Sequence, residues 1–216
     1  GITTMEQIAL ADERALYKMF GVDAELLIDH AWGRETVTMA DIKAYRPKVH
    51  SISNGQVLPR DYGYEEGILI VKEMADVLCQ ELLEKRLVTD SITLHVSYMG
   101  YSGKKSAHGT IGLPAATDLS GRIMESAVVL YHRIVDGQTP IRRVSLTYNH
   151  VEPEMYCQYD IFSSPAQVEK ERRLQRAVLD IKHRFGKNAV LRGMDFEDGA
   201  TTRERNHQIG GHRSGA

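Results

Sequence analysis

The chain has 216 residues with 27 basic and 29 acidic side chains, 42% apolar residues and six prolines. That length supports one large or two small domains with a real core, and that composition excludes collagen-like and wholly disordered chains. No apolar run approaches the roughly 18 to 20 residues of a membrane-crossing helix, and a net charge of −2 announces no nucleic-acid partner.

Cys79 and Cys157 make neither a disulfide framework nor a metal site, and they fit a reducing cytoplasm. A helix-like segment is already under way just after Gly1, with no leader pattern, so the sequence reads as part of something longer. The balance of charge conceals a division. Residues 1–48 carry 6 basic and 8 acidic groups, residues 49–150 carry 10 and 11, residues 151–163 carry none and 3, and residues 164–216 carry 11 and 7. Five segments follow: a first region (1–42), a basic linker (43–48), a neutral middle region (49–150), an acidic connector (151–163) and a basic C-terminal segment (164–216).

Short helices punctuated by glycine are predicted for the first region. Thr3 and Glu6 have capping-box spacing, Asp12 and Asp23 stand where further N-caps belong, and Gly21 and Gly33 fall where helices should end. Helix, glycine turn, helix is the pattern of a plain helical subdomain. It is equally that of a hairpin whose turn offers backbone N–H groups to a DNA phosphate. Pro47 then stops the last helix and leaves Lys43, Arg46 and Lys48 as three cations in a linker.

In the middle region a strand near 49–58 leads into Ile68, Val71, Ala75, Leu78 and Leu82, which recur at helical spacing between Tyr64 and Lys85. Ser91 to Met99 reads as a strand with Ile92, Leu94, Val96 and Tyr98 on one face. A turn-rich segment through Gly103, Lys104 and Lys105 returns the chain in a second strand that ends near Leu113. Thr117 or Asp118 is placed to cap a helix with Ile123, Ala127, Leu130 and Ile134 on its apolar stripe, and Ile141 to Asn149 is the last strand. The order β-α-β-β-α-β predicts an α+β chain: a small all-α region, then a ferredoxin-like domain with a four-stranded antiparallel sheet and both helices on one face.

The open face of that sheet would carry Thr93, His95, Ser97, Thr110, Arg143, Ser145, Thr147 and Asn149. Such side chains are common on solvated sheets. They also suit a sugar-phosphate backbone that is held without reading bases. The exposed aromatics that an RNA-recognition motif stacks on bases are missing from these positions. Further along, Gln167 to Phe185 reads as a basic helix, and His207 and His212 lack a carboxylate or cysteine at ligand spacing, so no metal site is assigned to them.

Several stretches together resemble the C-terminal half of a bacterial Y-family translesion DNA polymerase of the SOS repair type. Gly1-Ile-Thr-Thr through Phe20-Gly21 to Trp32-Gly33 is similar to the family's helical thumb. Ser51-Ile-Ser53, Leu58-Pro-Arg60-Asp61 and Ile141-Arg142-Arg143-Val144 are similar to the start and the last strand of its little-finger domain. Gln158-Tyr159-Asp160-Ile161-Phe162 resembles its sliding-clamp peptide, with Tyr159 and Ile161 in place of leucines, and the segment from Glu171 to Ala216 resembles a C-terminal extension of such proteins.

The resemblance implies primer-template DNA and a bacterial sliding clamp as partners, with neither a membrane nor a small-molecule ligand. It implies phosphate contacts from the turns at Gly21 and Gly33, from Lys43, Arg46 and Lys48, from Ser51, Ser53 and Arg60, and from Thr93, Ser97, Lys104, Lys105, Arg142, Arg143, Ser145 and Thr147. Strict alternation puts Arg142 and Arg143 on opposite faces of a strand, so both reach DNA only at a strand end or bulge. The carboxylates that hold two Mg2+ ions in such polymerases belong to a palm that precedes the thumb. The resemblance therefore implies no cofactor and no catalytic residue here, and a chain inactive by itself. Glu65, Glu66, Glu152 and Glu154 read as dipole-complementing and solubilising. The alternative is a non-catalytic ferredoxin-like interaction module with a basic tail.

Overall fold

Caps and glycines cut the N-terminal residues into four short helices, α1 (Met5–Ala9), α2 (Glu13–Phe20), α3 (Asp23–Ala31) and α4 (Met39–Ala44). The structure is a computed structural model that describes residues 1–35, 37–45, 50–100, 103–154 and 164–208. It forms two compact units, Gly1–Lys48 and Val49–Ala216.

In the first unit Asp12 accepts the Arg14 N–H at the start of α2, and Gly21 and Gly33 take φ of 59° and 68° where α2 and α3 end. Two expected caps are displaced. The α1 capping box is Thr4 with Gln7, not Thr3 with Glu6, because the Gln7 side-chain oxygen reaches back to the N–H groups of both Thr3 and Thr4. Helix α3 is entered through Val22, so Asp23 lies inside its first turn, where its charge complements the helix dipole without capping. The core of this unit is Leu16, Ala24 and Ile28, with Ile8 and Ala11 packed on them.

The second unit has the β-α-β-β-α-β order read from the sequence: β1 (Ile52–Tyr62), α5 (Tyr64–Lys85), β2 (Leu87–Tyr98), β3 (Ala107–Thr117), α6 (Ser120–Ile134) and β4 (Ile141–Asn149). All pairings are antiparallel in the order β1-β4-β2-β3, and a two-residue strand β5 (Glu152–Pro153) adds a short ladder to the start of β2. Leu94, Val96, Val144, Leu146 and Tyr148 project from the sheet into one core with Ile70, Met74, Leu78, Ile123, Ala127 and Leu130, so α5 and α6 share one face. Strand β1 runs on past the expected residue 58 through Pro59. That proline is tolerated because β1 is an edge strand whose register breaks between Val57 and Tyr62. Helix α6 starts after Leu119, not directly on Thr117 or Asp118. Thr117 Oγ1 accepts the Leu119 N–H at 3.1 Å, and the Asp118 carboxylate is taken by Arg172.

Residues 164–208 lie in this same unit. Helix α7 (Pro165–Phe185) packs on α5, and the following segment, with a 3-10 turn at Gly193–Phe196 and a last helical turn α8 (Thr202–Arg205), runs back over α5. Arg172 on α7 is buried. Its guanidinium meets Asp118 at 2.9 Å and also pairs with Glu154, so Glu154 is part of a buried ion-pair cluster and not a solubilising surface charge. Burial raises the proton affinity of the Asp118 carboxyl, and Arg172 opposes that effect. Glu73, in the middle of α5 and 1% exposed, accepts the N–H groups of Thr201 and Thr202 and the Thr201 hydroxyl at 2.9–3.0 Å. Arg205 completes the clasp, donating to Gln56 and Asn54 of β1 at 2.9 Å each.

Candidate nucleic-acid interface

The four-stranded sheet has one face covered by α5 and α6, and the register defines the other. Ser53, Thr147, Thr93 and Thr110 stand abreast across β1, β4, β2 and β3, and Gly55, Ser145, His95 and His108 form the adjacent row. Val57, Arg143 and Ser97 lie beyond on one side, and Asn149, Ser91 and Gly112 on the other. None of these positions carries Asp or Glu, although the chain has 29 acidic residues. The hydroxyls are held by one another. Asn149 Nδ2 donates to Ser91 Oγ and Thr93 Oγ1 at 2.9 Å, Thr93 and Thr110 hydroxyls meet at 2.8 Å, and the Ser106 hydroxyl donates to Ser97 at 3.3 Å. A face of this kind offers O–H and N–H donors with no negative charge to repel an anion.

Arg142 and Arg143 sit where the ladder is irregular. Ser97 pairs with Arg143 but Tyr98 pairs with Ile141, so one residue of β4 is left over. Ile141 and Val144 are both fully buried in the core, whereas Arg142 is partly and Arg143 largely exposed. The extra residue resets the alternation and lets both arginines leave the core, which an unbroken strand would forbid. Gly55 on β1 lies beside the Arg143 guanidinium, where a Cβ would make only ordinary van der Waals contact with Arg143 Nη2 at 4.0 Å. Neither arginine has a hydrogen-bond or ion-pair partner among the described residues.

The remaining positions are less uniform. Ser51 and Ser53 are exposed at the start of β1, and Ser145 Oγ donates to the Asn54 carbonyl at 3.4 Å. Arg60 does not stand free: it pairs with Glu66 in the first turn of α5 and lies 4.4 Å over the Tyr62 ring. The Arg60 guanidinium holds the Glu66 carboxyl below its ordinary range, and the Gly63 N–H adds to that effect. Lys104 is engaged by Asp136, while Lys105 beside it is exposed. Gly21, Gly33 and Lys43 belong to the first unit, Lys43 in the last turn of α4. Arg46, Lys48 and the whole peptide Gln158, Tyr159, Asp160, Ile161 and Phe162 lie outside the described residues.

Sequence reasoning passed over His108, Asn149 as a holder of hydroxyls, and the cluster of Glu73, Asp76 and Arg192. In that cluster the Arg192 guanidinium donates to Asp76 at 2.7 Å and to Ser120 at 2.9 Å. The one available signal was the acid pair Glu73 and Asp76 set into the apolar stripe of α5. Cys79 is buried against Tyr148 at 3.3 Å, and burial pushes its thiol up to about 12, which removes it as a nucleophile at neutral pH. Among the described residues no three His, Cys, Asp or Glu side chains converge to hold a metal ion. No helix among them is long and apolar enough to cross a membrane.

Residues 49–161 match the model of the impB/mucB/samB family C-terminal domain. The chain is 28% identical over 221 aligned residues to the putative UV-damage repair protein UvrX of Bacillus subtilis, covering 99% of this chain and 50% of that protein. It is 25% identical to DNA polymerase IV 2 of Halalkalibacterium halodurans over 98% of this chain and 51% of the relative, and 28% identical to DNA polymerase IV of Moorella thermoacetica over 91% and 47%. The chain thus spans about half the length of the curated relatives it matches.

Proposed function

The chain belongs to the impB/mucB/samB family through its C-terminal domain, and we propose that it is the DNA-holding part of an error-prone, lesion-bypass polymerase acting in DNA repair. The observation that carries this reading is the open sheet face: free of carboxylates, lined with hydroxyls, and bordered at a bulge by two arginines without partners among the described residues. Contacts of this type position a phosphate backbone without reading sequence, which suits a template whose bases are damaged. Ser53, Thr93, Ser97, Ser145, Thr147, Arg142 and Arg143 make those contacts from the sheet, with Lys105 beside them. Lys104 joins them only by leaving Asp136, and Arg60 only by leaving Glu66. In the first unit the turns at Gly21 and Gly33 and the cations Lys43, Arg46 and Lys48 hold phosphates in the same sequence-independent way.

The test is the salt dependence of duplex binding. Removing one cation that neutralises a phosphate should reduce the slope of log K against log salt by about 0.9, so R142A/R143A should flatten it by close to two. An unchanged slope refutes the assignment, and no salt-dependent binding at all favours the interaction-module alternative. Tethering through Gln158 to Phe162 rests on the sequence and would supply processivity, because a short linker gives effective concentrations of order millimolar. Recovery of a sliding clamp by the wild-type chain and not by Q158A/F162A supports it, and equal recovery by both excludes it. Nucleotide transfer, with its two Mg2+ ions, is assigned to a palm outside this chain; nucleotide incorporation by the chain alone would overturn that.

A further inference from the structure

We propose that His95 and His108 form a proton-linked phosphodiester site in the middle of the open sheet face. The inference rests on the reading of that face as a DNA interface and adds to it a contact that turns on with acidity. His95 on β2 and His108 on β3 are register partners, both exposed, and neither has a hydrogen-bond or ion-pair partner among the described residues. Directly opposed residues on antiparallel strands hold their Cβ atoms about 4.5–5.5 Å apart. Two imidazoles at that spacing can donate to two oxygens of one phosphate.

The groups around the pair favour an anion. On β4, Ser145 stands beside His95 and Arg143 lies diagonally; on β2 and β3 the flanking residues of the same face are Thr93, Ser97 and Thr110. Arg133 from α6 reaches the Thr110 carbonyl at the outer edge of β3, and Lys104 and Lys105 lead into that strand. Two of the carboxylates near the sheet ends are already engaged, Asp136 by Lys104 and Asp90 by His150. Two protonated imidazoles side by side repel each other in the absence of an anion, since like charges directly opposite destabilise a sheet. A phosphate between them replaces that repulsion with two charge-assisted hydrogen bonds. Binding of DNA therefore takes up protons, and affinity rises as the solution is made more acidic.

The test is fluorescence anisotropy of a labelled mixed-sequence duplex with the full chain, at constant ionic strength, at about pH 5.5 and about pH 8. The wild type should bind at least roughly tenfold tighter at the lower pH, with a salt slope steeper by up to about 0.9 for each histidine charged. H95Q/H108Q should lose most of the gain at the lower pH. H183Q, whose imidazole pairs with Glu84 at 3.2 Å, is the control and should keep the full effect. A pH effect that survives in H95Q/H108Q overturns this proposal alone. A wild type that binds no duplex at either pH overturns the interface reading and this proposal with it.

Discussion

Replacing Glu73 with alanine should release the C-terminal segment from α5. The Glu73 carboxylate satisfies three donors, the Thr201 N–H, the Thr201 hydroxyl and the Thr202 N–H, in a site where Glu73, Thr201 and Thr202 are all buried. Stranding a buried donor costs about 1–3 kcal/mol, so three at the low end come to about 3 kcal/mol, with the forfeited packing of the side chain added. The neighbouring Arg205 makes the cost larger. Burial lowers its proton affinity and the Glu73 charge offsets part of that, so without Glu73 the guanidinium is left buried with only amide acceptors. Peeling residues 186–208 away lets water satisfy these groups, which sets a ceiling on the cost at the free energy of docking. E73A should therefore lower stability by about 3–5 kcal/mol in urea unfolding, or expose the Thr201 and Thr202 amides to rapid hydrogen exchange. E73Q keeps one acceptor and should fall between. A change below about 1 kcal/mol with both amides still protected would refute the reasoning.

Gly67 lies inside α5, where alanine normally gains about 1 kcal/mol, but a Cβ there would stand 2.3 Å from Tyr131 Oη and 2.6 Å from Ile141 Cδ1. G67A should therefore destabilise by about 1–3 kcal/mol, read as a lower denaturation midpoint, since Tyr131 is fully buried and held by its hydrogen bond to the Tyr64 carbonyl. The Glu66 carboxyl, held below its ordinary range chiefly by Arg60, contributes stability that is present above the unfolded-state value and lost as pH falls through the lowered folded-state value. R60A should raise the Glu66 titration midpoint in NMR and shift the acid limb of the Tm–pH curve to higher pH; an unmoved midpoint would show that the Gly63 N–H alone suffices. Cys79 should resist thiol reagents in the native chain at pH 8 and react only as fast as the core opens, which a C157S background would isolate.

The long periodic elements were legible in the sequence. Helix α5 and strand β4 have the bounds that their apolar spacing predicts, because each buries one continuous face against the same core. Edges were less legible. The extension of β1 past Pro59 depends on its being an edge strand with a broken register, and the one-residue shift of the α1 cap depends on where a single glutamine side chain folds back. Of the candidate interface, the hydroxyls of β2 and β4 could be read from alternation. The neutralisation of Arg60 by Glu66 and of Lys104 by Asp136 could not, since Lys104 and Asp136 are brought together only by the turn of α6 into β4.

The sequence by itself determined the β-α-β-β-α-β order, the apolar faces of β2 and β4, and that two adjacent arginines near the start of the last strand need a bulge to act together. Local periodicity reports which face of an element is apolar, and that pattern is carried by a residue and its neighbours along the chain. What only the tertiary structure decided is who stands opposite whom. The order β1-β4-β2-β3 brings hydroxyls from four strands into one row and sets His95 beside His108. The docking of the C-terminal segment on Glu73 joins residues 128 positions apart. Such contacts depend on loop closure and on the geometry of the packed core, and a window of neighbouring residues carries neither.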